Sequence, residues 1–269
     1  MTIAFIGAGN MAISLIRGLL NNGMKTSDLI AADPSDEQRA KAREIGISTE
    51  ADNATAINEA DIIVVAVKPQ IAGQVLKALN TVQSNQLVIS VAAGIGLDSL
   101  HAWLPSGQPI VRCMPNTPAL VGAGMTALYA NDQVQKEHRA AAEQVLQASG
   151  EVVWVPKEGL LDAVTAVSGS GPAYFFLLME HMTKTGIELG LDPDTSRKLT
   201  LQTAFGAALM AQQSTDTLTT LRQNVTSPGG TTEAAVNTML DHGMPEAITS
   251  ALRAAQQRSV QLSKEFGAS

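Results

Sequence analysis

One cysteine, Cys113, stands among 269 residues, which excludes an intrachain disulfide and any metal site built on several thiolates. That economy suits a reducing compartment. Basic residues are outnumbered, 18 lysines and arginines against 25 aspartates and glutamates, and no basic run occurs. Neither a nucleic-acid partner nor an anionic membrane surface is therefore expected. Long apolar runs are absent as well: Arg17 breaks one candidate and Glu180 with His181 another, leaving nothing near the roughly 20 residues that cross a bilayer. The N-terminal stretch lacks a basic flank and is interrupted by Gly7, Gly9 and Asn10, unlike a secretion signal. His101, His138, His181 and His242 lie singly, with no second ligand at a metal-binding spacing, so no metal is expected. Nucleophilic catalysis is equally ill served, because no G-x-S-x-G elbow occurs and Cys113 sits inside an apolar run that reads as a buried strand. What remains is small-molecule chemistry in a soluble, cytoplasmic protein.

The chain is 45% apolar, enough for two domains with a sizeable core. Residues 2–6 form a short β-rich run that leads at once into Gly7-Ala8-Gly9-Asn10-Met11-Ala12, and then into a helical pattern through Leu15, Ile16, Leu19 and Leu20. This strand, G-x-G-x-x-A turn and helix make a dinucleotide fingerprint. Gly7 permits the tight turn, Gly9 lets a pyrophosphate approach the backbone, and Ala12 keeps helix and strand close. A second strand at 29–32 ends in Asp33, at about the spacing of the acid that contacts the adenosine ribose.

Further along, helices are expected at 37–44 and 55–59, and residues 61–67 are apolar on both faces, as in the middle of a parallel sheet. Strands at 87–90, 110–113, 126–129 and 152–155 complete a doubly wound, Rossmann-type α/β domain over residues 1–157. After Pro156 no β-branched run returns, and residues 158–269 read as an all-α domain. Gly169-Ser170-Gly171-Pro172 breaks its first helical stretch, a helix follows over 173–189, and Gly190 stops it. Residues 199–211 are apolar on more than one face, through Leu201, Phe205, Leu209 and Met210 among others. A partner subunit is expected to cover them, with an intrachain central helix as the alternative.

Chemistry-bearing loops stand at the strand ends. Val67-Lys68-Pro69-Gln70 follows the central strand at its carboxyl end, where open parallel sheets bind ligands. Met114-Pro115-Asn116-Thr117-Pro118 stands likewise: either Asn116 and Thr117 offer donors to a nicotinamide amide, or the two prolines make a plain rigid turn. In Ser227-Pro228-Gly229-Gly230-Thr231-Thr232-Glu233, two glycines free the backbone to turn its N–H groups toward a small anion. Thr231 or Thr232 is expected to cap the helix that Glu233 begins.

These segments, together with Ala166-Val167-Ser168-Gly169-Ser170-Gly171-Pro172-Ala173-Tyr174, occur in the order seen in pyrroline-5-carboxylate reductases, which the chain resembles over essentially its whole length. The resemblance implies reduction of 1-pyrroline-5-carboxylate to L-proline by NAD(P)H, the last step of proline synthesis. By the same resemblance, Ser227, Gly229, Gly230, Thr231 and Thr232 hold the substrate, with the Thr232 hydroxyl on the ring nitrogen as the catalytic contact. Ile6, Gly7, Ala8, Gly9, Asn10, Met11, Asn53, Ala66, Val67, Lys68 and Pro69 contact the dinucleotide. NADPH is the implied cofactor. Asp33, with Asp36 close by, suits the 2′-hydroxyl of NADH instead, while Ser35, Arg39 and Asn53 are placed to receive a 2′-phosphate, so both nucleotides stay open. An intertwined homodimer, assembled further into a decamer, is implied as well.

Two rivals differ in class. The β-hydroxyacid dehydrogenases share the glycines around Gly169 and Gly171 but need a lysine four residues after the last of them, where this chain has Phe175. A cofactor-sensing regulatory protein would bind nucleotide without turnover and would have no use for the segment from Ser227 to Thr232.

Overall fold

The computed structural model describes residues 1–267. In chain order the elements are β1 (Ile3–Ile6), α1 (Asn10–Asn21), β2 (Leu29–Ala32), α2 (Asp36–Glu44), β3 (Ser48–Glu50), α3 (Asn53–Ile57), β4 (Ile62–Val65), α4 (Pro69–Lys77), β5 (Leu87–Ser90) and α5 (Leu97–Trp103). They continue as β6 (Ile110–Met114), β7 (Gly124–Ala130), α6 (Lys136–Gln147), β8 (Gly150–Trp154) and α7 (Leu160–Val164). Five further helices follow: α8 (Gly171–Glu188), α9 (Pro193–Gln213), α10 (Leu218–Asn224), α11 (Thr231–Asp241) and α12 (Met244–Gly267).

The strands form one sheet in the order β3-β2-β1-β4-β5-β6-β7-β8. Alternation along each strand sorts its side chains to two faces. Ile3 and Phe5 of β1 join Ile62 and Val64 of β4 beneath α1 and α6, while Ala4 and Ile6 join Ile63 and Val65 on the side of α4 and α5. Both faces are dry, and this is why β4 is apolar throughout. Ile3 of β1 stands in register with Leu29 of β2 on one side and Ile62 of β4 on the other, both parallel. The chain therefore reverses its direction of travel across the sheet at β1, and ligands bind such sheets at the carboxyl ends beside that reversal.

Two features of the sheet depart from the expected pattern. β3, with only the three residues Ser-Thr-Glu, adds an edge strand that carries no apolar signature. β7 runs antiparallel to β6, because the short 3-10 turn Thr117–Val121 joins them without the crossover that a parallel return needs.

Packing divides the chain into two units, one comprising Met1–Ser170 with the chain from Ala255 onward, the other Gly171–Ala254. Strands end near Pro156, yet the following residues stay with the sheet. Glu158 binds Arg112 of β6 at 2.8 Å and the Leu97 N–H at 2.7 Å, and Asn116 donates to the Ser168 carbonyl at 3.1 Å. The second part of α12 also belongs to the sheet unit, where Ser259 donates to Asp162 at 2.7 Å.

Between α7 and α8 the residues Thr165–Gly169 form a π-turn, marked by the Ser170 N–H bonded to the Thr165 carbonyl at 2.8 Å. In the helical unit α8 packs on α9, and the Ser196 hydroxyl donates to the Thr183 carbonyl at 2.8 Å. α9 buries only Ser196 and Thr200, and Phe175, Phe176 and Phe205 are 64%, 63% and 61% exposed. Among the described residues the apolar sides of α8 and α9 are therefore exposed, and α9 is not a buried central helix. No described helix is long and apolar enough to cross a membrane.

Candidate active site

The glycine turn explains itself atom by atom. Gly7 has φ 95°, and a Cβ there would lie 2.7 Å from the Ala66 carbonyl oxygen, so conformation and space both demand glycine. Ala12, buried without exposure, joins the core cluster that holds Ile3 and Phe5 of β1. Gly9 differs. It precedes α1, caps it with no side chain, and a Cβ on it would meet nothing within 4 Å. The chain's own packing leaves that space open, at a helix N-terminus whose unpaired N–H groups favour an anion. Asn10 and Met11 open the helix there, Asn10 exposed and Met11 half-buried.

Asp33 follows β2 and is engaged by the backbone. Its Oδ2 accepts from the Ala8 N–H at 3.0 Å and its Oδ1 from the Ser35 N–H at 2.9 Å, so this carboxylate braces the glycine turn. Beside it the Arg39 guanidinium donates to the carbonyls of Asp33 and Pro34 at 2.6 and 3.0 Å and pairs with Asp36 at 3.1 Å. Asp36 also pairs with Arg43, which, with Arg39, holds its carboxyl below the usual range. A fixed cation thus stands at the carboxyl end of β2 next to Ser35, whose hydroxyl caps α2.

Asn53 opens α3 with its Oδ1 buried and unpaired among the described residues. A buried acceptor without a donor is costly, and a ribose hydroxyl is one group that could supply the missing partner. This orphaned oxygen and the open space at Gly9 fit a dinucleotide. Ala66 and Val67 are half-buried beyond β4, Lys68 caps α4 and is exposed, and Pro69 holds its first position.

Asn116 is engaged within the chain. One of its Nδ2 N–H groups donates to the Ser168 carbonyl and its Oδ1 accepts from the Met125 N–H at 2.9 Å, so it ties the end of β6 to β7 and the π-turn. Thr117 is exposed at the start of the 3-10 turn. Cys113 is buried in β6 with its thiol against the Ser90 carbonyl, and burial pushes it up to about 12, a neutral thiol and no nucleophile.

In the helical unit, α11 begins at Thr231, ahead of the expected Glu233, and Gly230 caps it without a side chain. The threonines do not cap. Glu233 reaches back instead, accepting from the Gly229 N–H at 2.7 Å, and the Gly230 N–H is bonded to the Ser227 carbonyl at 3.0 Å. Gly229 and Gly230 therefore shape the turn, Gly229 with φ 70°, and their donors are taken. The unpaired N–H groups move along to Thr231, Thr232 and Glu233, the first turn of an 11-residue helix. Among the described residues neither threonine hydroxyl has a partner, and Ser227 is exposed beside them.

A third loop at the sheet's carboxyl edge, residues 91–96 after β5, has no sequence motif to mark it. The positional rule that singles out 67–70 and 114–118 applies to it equally. Its composition of valine, alanine, glycine and isoleucine carries no polar side chain to advertise it.

A mostly parallel sheet with a glycine turn at its switch point, joined to a helical unit holding an anion-ready turn, defines a dinucleotide-dependent oxidoreductase with an appended helical domain. The chain matches the family description "Pyrroline-5-carboxylate reductase dimerisation" over residues 158–262 and "NADP oxidoreductase coenzyme F420-dependent" over residues 2–94. It is 51% identical to a pyrroline-5-carboxylate reductase of Pseudomonas aeruginosa, with 98% of each chain covered. It is 43% identical to one of Haemophilus influenzae, again over 98% of each. Among solved structures it is similar to a pyrroline-5-carboxylate reductase from Coxiella burnetii, with 40% identity, a TM-score of 0.91 and coverage of 97% and 98%. It is also similar to the Plasmodium falciparum pyrroline carboxylate reductase with NADP bound, with 30% identity, a TM-score of 0.87 and 98% of each chain covered. The chain belongs to the pyrroline-5-carboxylate reductase family.

Proposed function

We propose that this protein reduces 1-pyrroline-5-carboxylate to L-proline, the last step of proline biosynthesis, with NADPH as the reductant. The reduced nicotinamide, when bound, supplies the hydride that adds to the imine carbon. Everything else falls to the chain. The free N–H groups of Thr231, Thr232 and Glu233 hold the substrate carboxylate, assisted by the α11 dipole, with Ser227 alongside and Gly229 and Gly230 fixing the turn. The Thr232 hydroxyl hydrogen-bonds the ring nitrogen, whose protonated form is the better electrophile, so catalysis is mainly orientation and electrostatics.

On the sheet unit, residues Ile6 to Met11 receive the pyrophosphate, Asn53 the adenosine ribose, and Ala66 to Pro69 line the crevice. Arg39 and Ser35 answer the 2′-phosphate, which supports NADPH over NADH. The cofactor domain is thus the N-terminal one, and the helical domain serves substrate and assembly. The protein works in the cytoplasm as a homodimer, with dimers assembled further into a decamer.

The observation that carries this reading is the start of α11, where backbone donors and two threonine hydroxyls stand together without partners among the described residues. Purified protein should oxidise NADPH on addition of pyrroline-5-carboxylate and release proline, followed by absorbance. Thr232→Ala should lower kcat about 100-fold with nucleotide affinity unchanged. Folded, nucleotide-binding protein without turnover would instead establish the sensor.

A further inference from the structure

The loop after β5 is held from two directions, and one of them is the far end of the chain. Gly94 has φ 77°, a conformation that only glycine adopts freely, and it is buried. A Cβ there would stand 3.4 Å from Cδ2 of Phe266 and 3.5 Å from Leu262, both in the last turns of α12. Phe266 packs on the core that Val88, Ala92, Ile95 and Leu97 build around this loop. The Ser99 hydroxyl, in the first turn of α5, donates to the Gly267 carbonyl at 3.4 Å. From the other direction Glu158 accepts the Leu97 N–H and is itself fixed by Arg112, which is 8% exposed.

The loop's position gives this bracing a purpose. β5 lies beyond β4 in the sheet, on the side of the β1 reversal opposite to β2 and Asp33. A dinucleotide that places its adenosine over β2 extends its nicotinamide toward β4 and β5. The N–H groups of Ala93 and Gly94 find no partner among the described residues, and Ala93 is exposed. Two unclaimed donors therefore stand on the loop that follows β5 at the sheet's carboxyl edge, a loop without a single polar side chain to hold it.

We propose that Phe266 is a positioning residue for hydride transfer: packed against Gly94, it sets the backbone of residues 91–96 against the nicotinamide. The inference rests on the nucleotide-reductase reading above. A ring removed from that contact leaves a cavity into which the loop relaxes, and a shift of about 1 Å at the reacting end costs as much as 100-fold in rate.

The test compares three variants of the full chain. Phe266→Ala should raise the nucleotide dissociation constant, measured by fluorescence without substrate, and lower kcat about tenfold or more. Hydrogen exchange at residues 91–96 should rise with it, and Phe266→Leu should restore most of both. Val82→Ala empties the same core at the amino end of β5 and should lower Tm while leaving nucleotide affinity and kcat unchanged. Equal effects of Phe266→Ala and Val82→Ala at matched stability would reduce Phe266 to ordinary packing and overturn the proposal. Unchanged exchange at 91–96 in Phe266→Ala would overturn it as well. Wild-type protein without nucleotide affinity would overturn the functional reading itself and this proposal with it, an outcome distinct from a competent wild type whose Phe266 variant is silent.

Discussion

Asp33 serves two ends that a substitution separates. Its two oxygens hold the N–H groups of Ala8 and Ser35, and in the proposed complex its negative charge would face an approaching 2′-phosphate. Replacing it with serine removes a repulsion and also frees the glycine turn. A hydrogen bond to a charged group is worth about 1.5–3 kcal/mol, so losing the brace should weaken both nucleotides, NADH by about tenfold or more. Relief of the charge should offset part of the loss for NADPH, shifting preference toward it. Fluorescence titration of the two nucleotides separates the effects, and equal weakening would show that Asp33 serves the turn alone. The glycines around it are legible in the sequence because their reasons are local: a positive φ at Gly7 and an open approach at Gly9. The roles of Asp33 and Asn116 are not, because their partners lie 25 and 52 residues away along the chain. Residue type announces what a side chain can bond, and topology decides which partner arrives.

The strands are readable wherever burial on both faces leaves an unbroken apolar run, as in β1, β4 and β5. β3 is not, since three polar residues at a sheet edge give no periodicity to detect. The start of α11 escapes the sequence for a related reason. Glu233 has the look of a first helical residue, whereas its carboxylate bonds the Gly229 N–H from inside the first turn. The apolar excess of α9 is legible, and the exposed Phe205 and Met210 give it a surface that needs covering. In the proposed homodimer that surface is the interface, so Ala207→Glu would set an unpaired charge within it at a cost of roughly several kcal/mol. Light scattering should then find monomer or unfolded chain, with activity lost. Wild-type protein that is monomeric at micromolar concentration and fully active would refute the dimer.

At the scale of the molecule, the sheet unit is discontinuous in sequence. Its last piece arrives only after the entire helical unit has been made, on the second part of a single 24-residue helix. That piece covers Gly94, reaches Ser99 and binds Asp162. The nucleotide half therefore cannot be excised by one cut. A gene ending at Ser170 should yield protein with an exposed face around Ile95 and Leu100, prone to aggregate and with a Tm well below that of the whole chain. Joining residues 255–267 to the end of that fragment by a flexible linker should recover soluble protein and nucleotide binding, read by calorimetry and fluorescence. Fragment 1–170 folding as stably as the joined version would show the closing helix to be dispensable. During synthesis the consequence is temporal: the sheet is made before the residues that cover Gly94, so nucleotide binding should await residues 255–267.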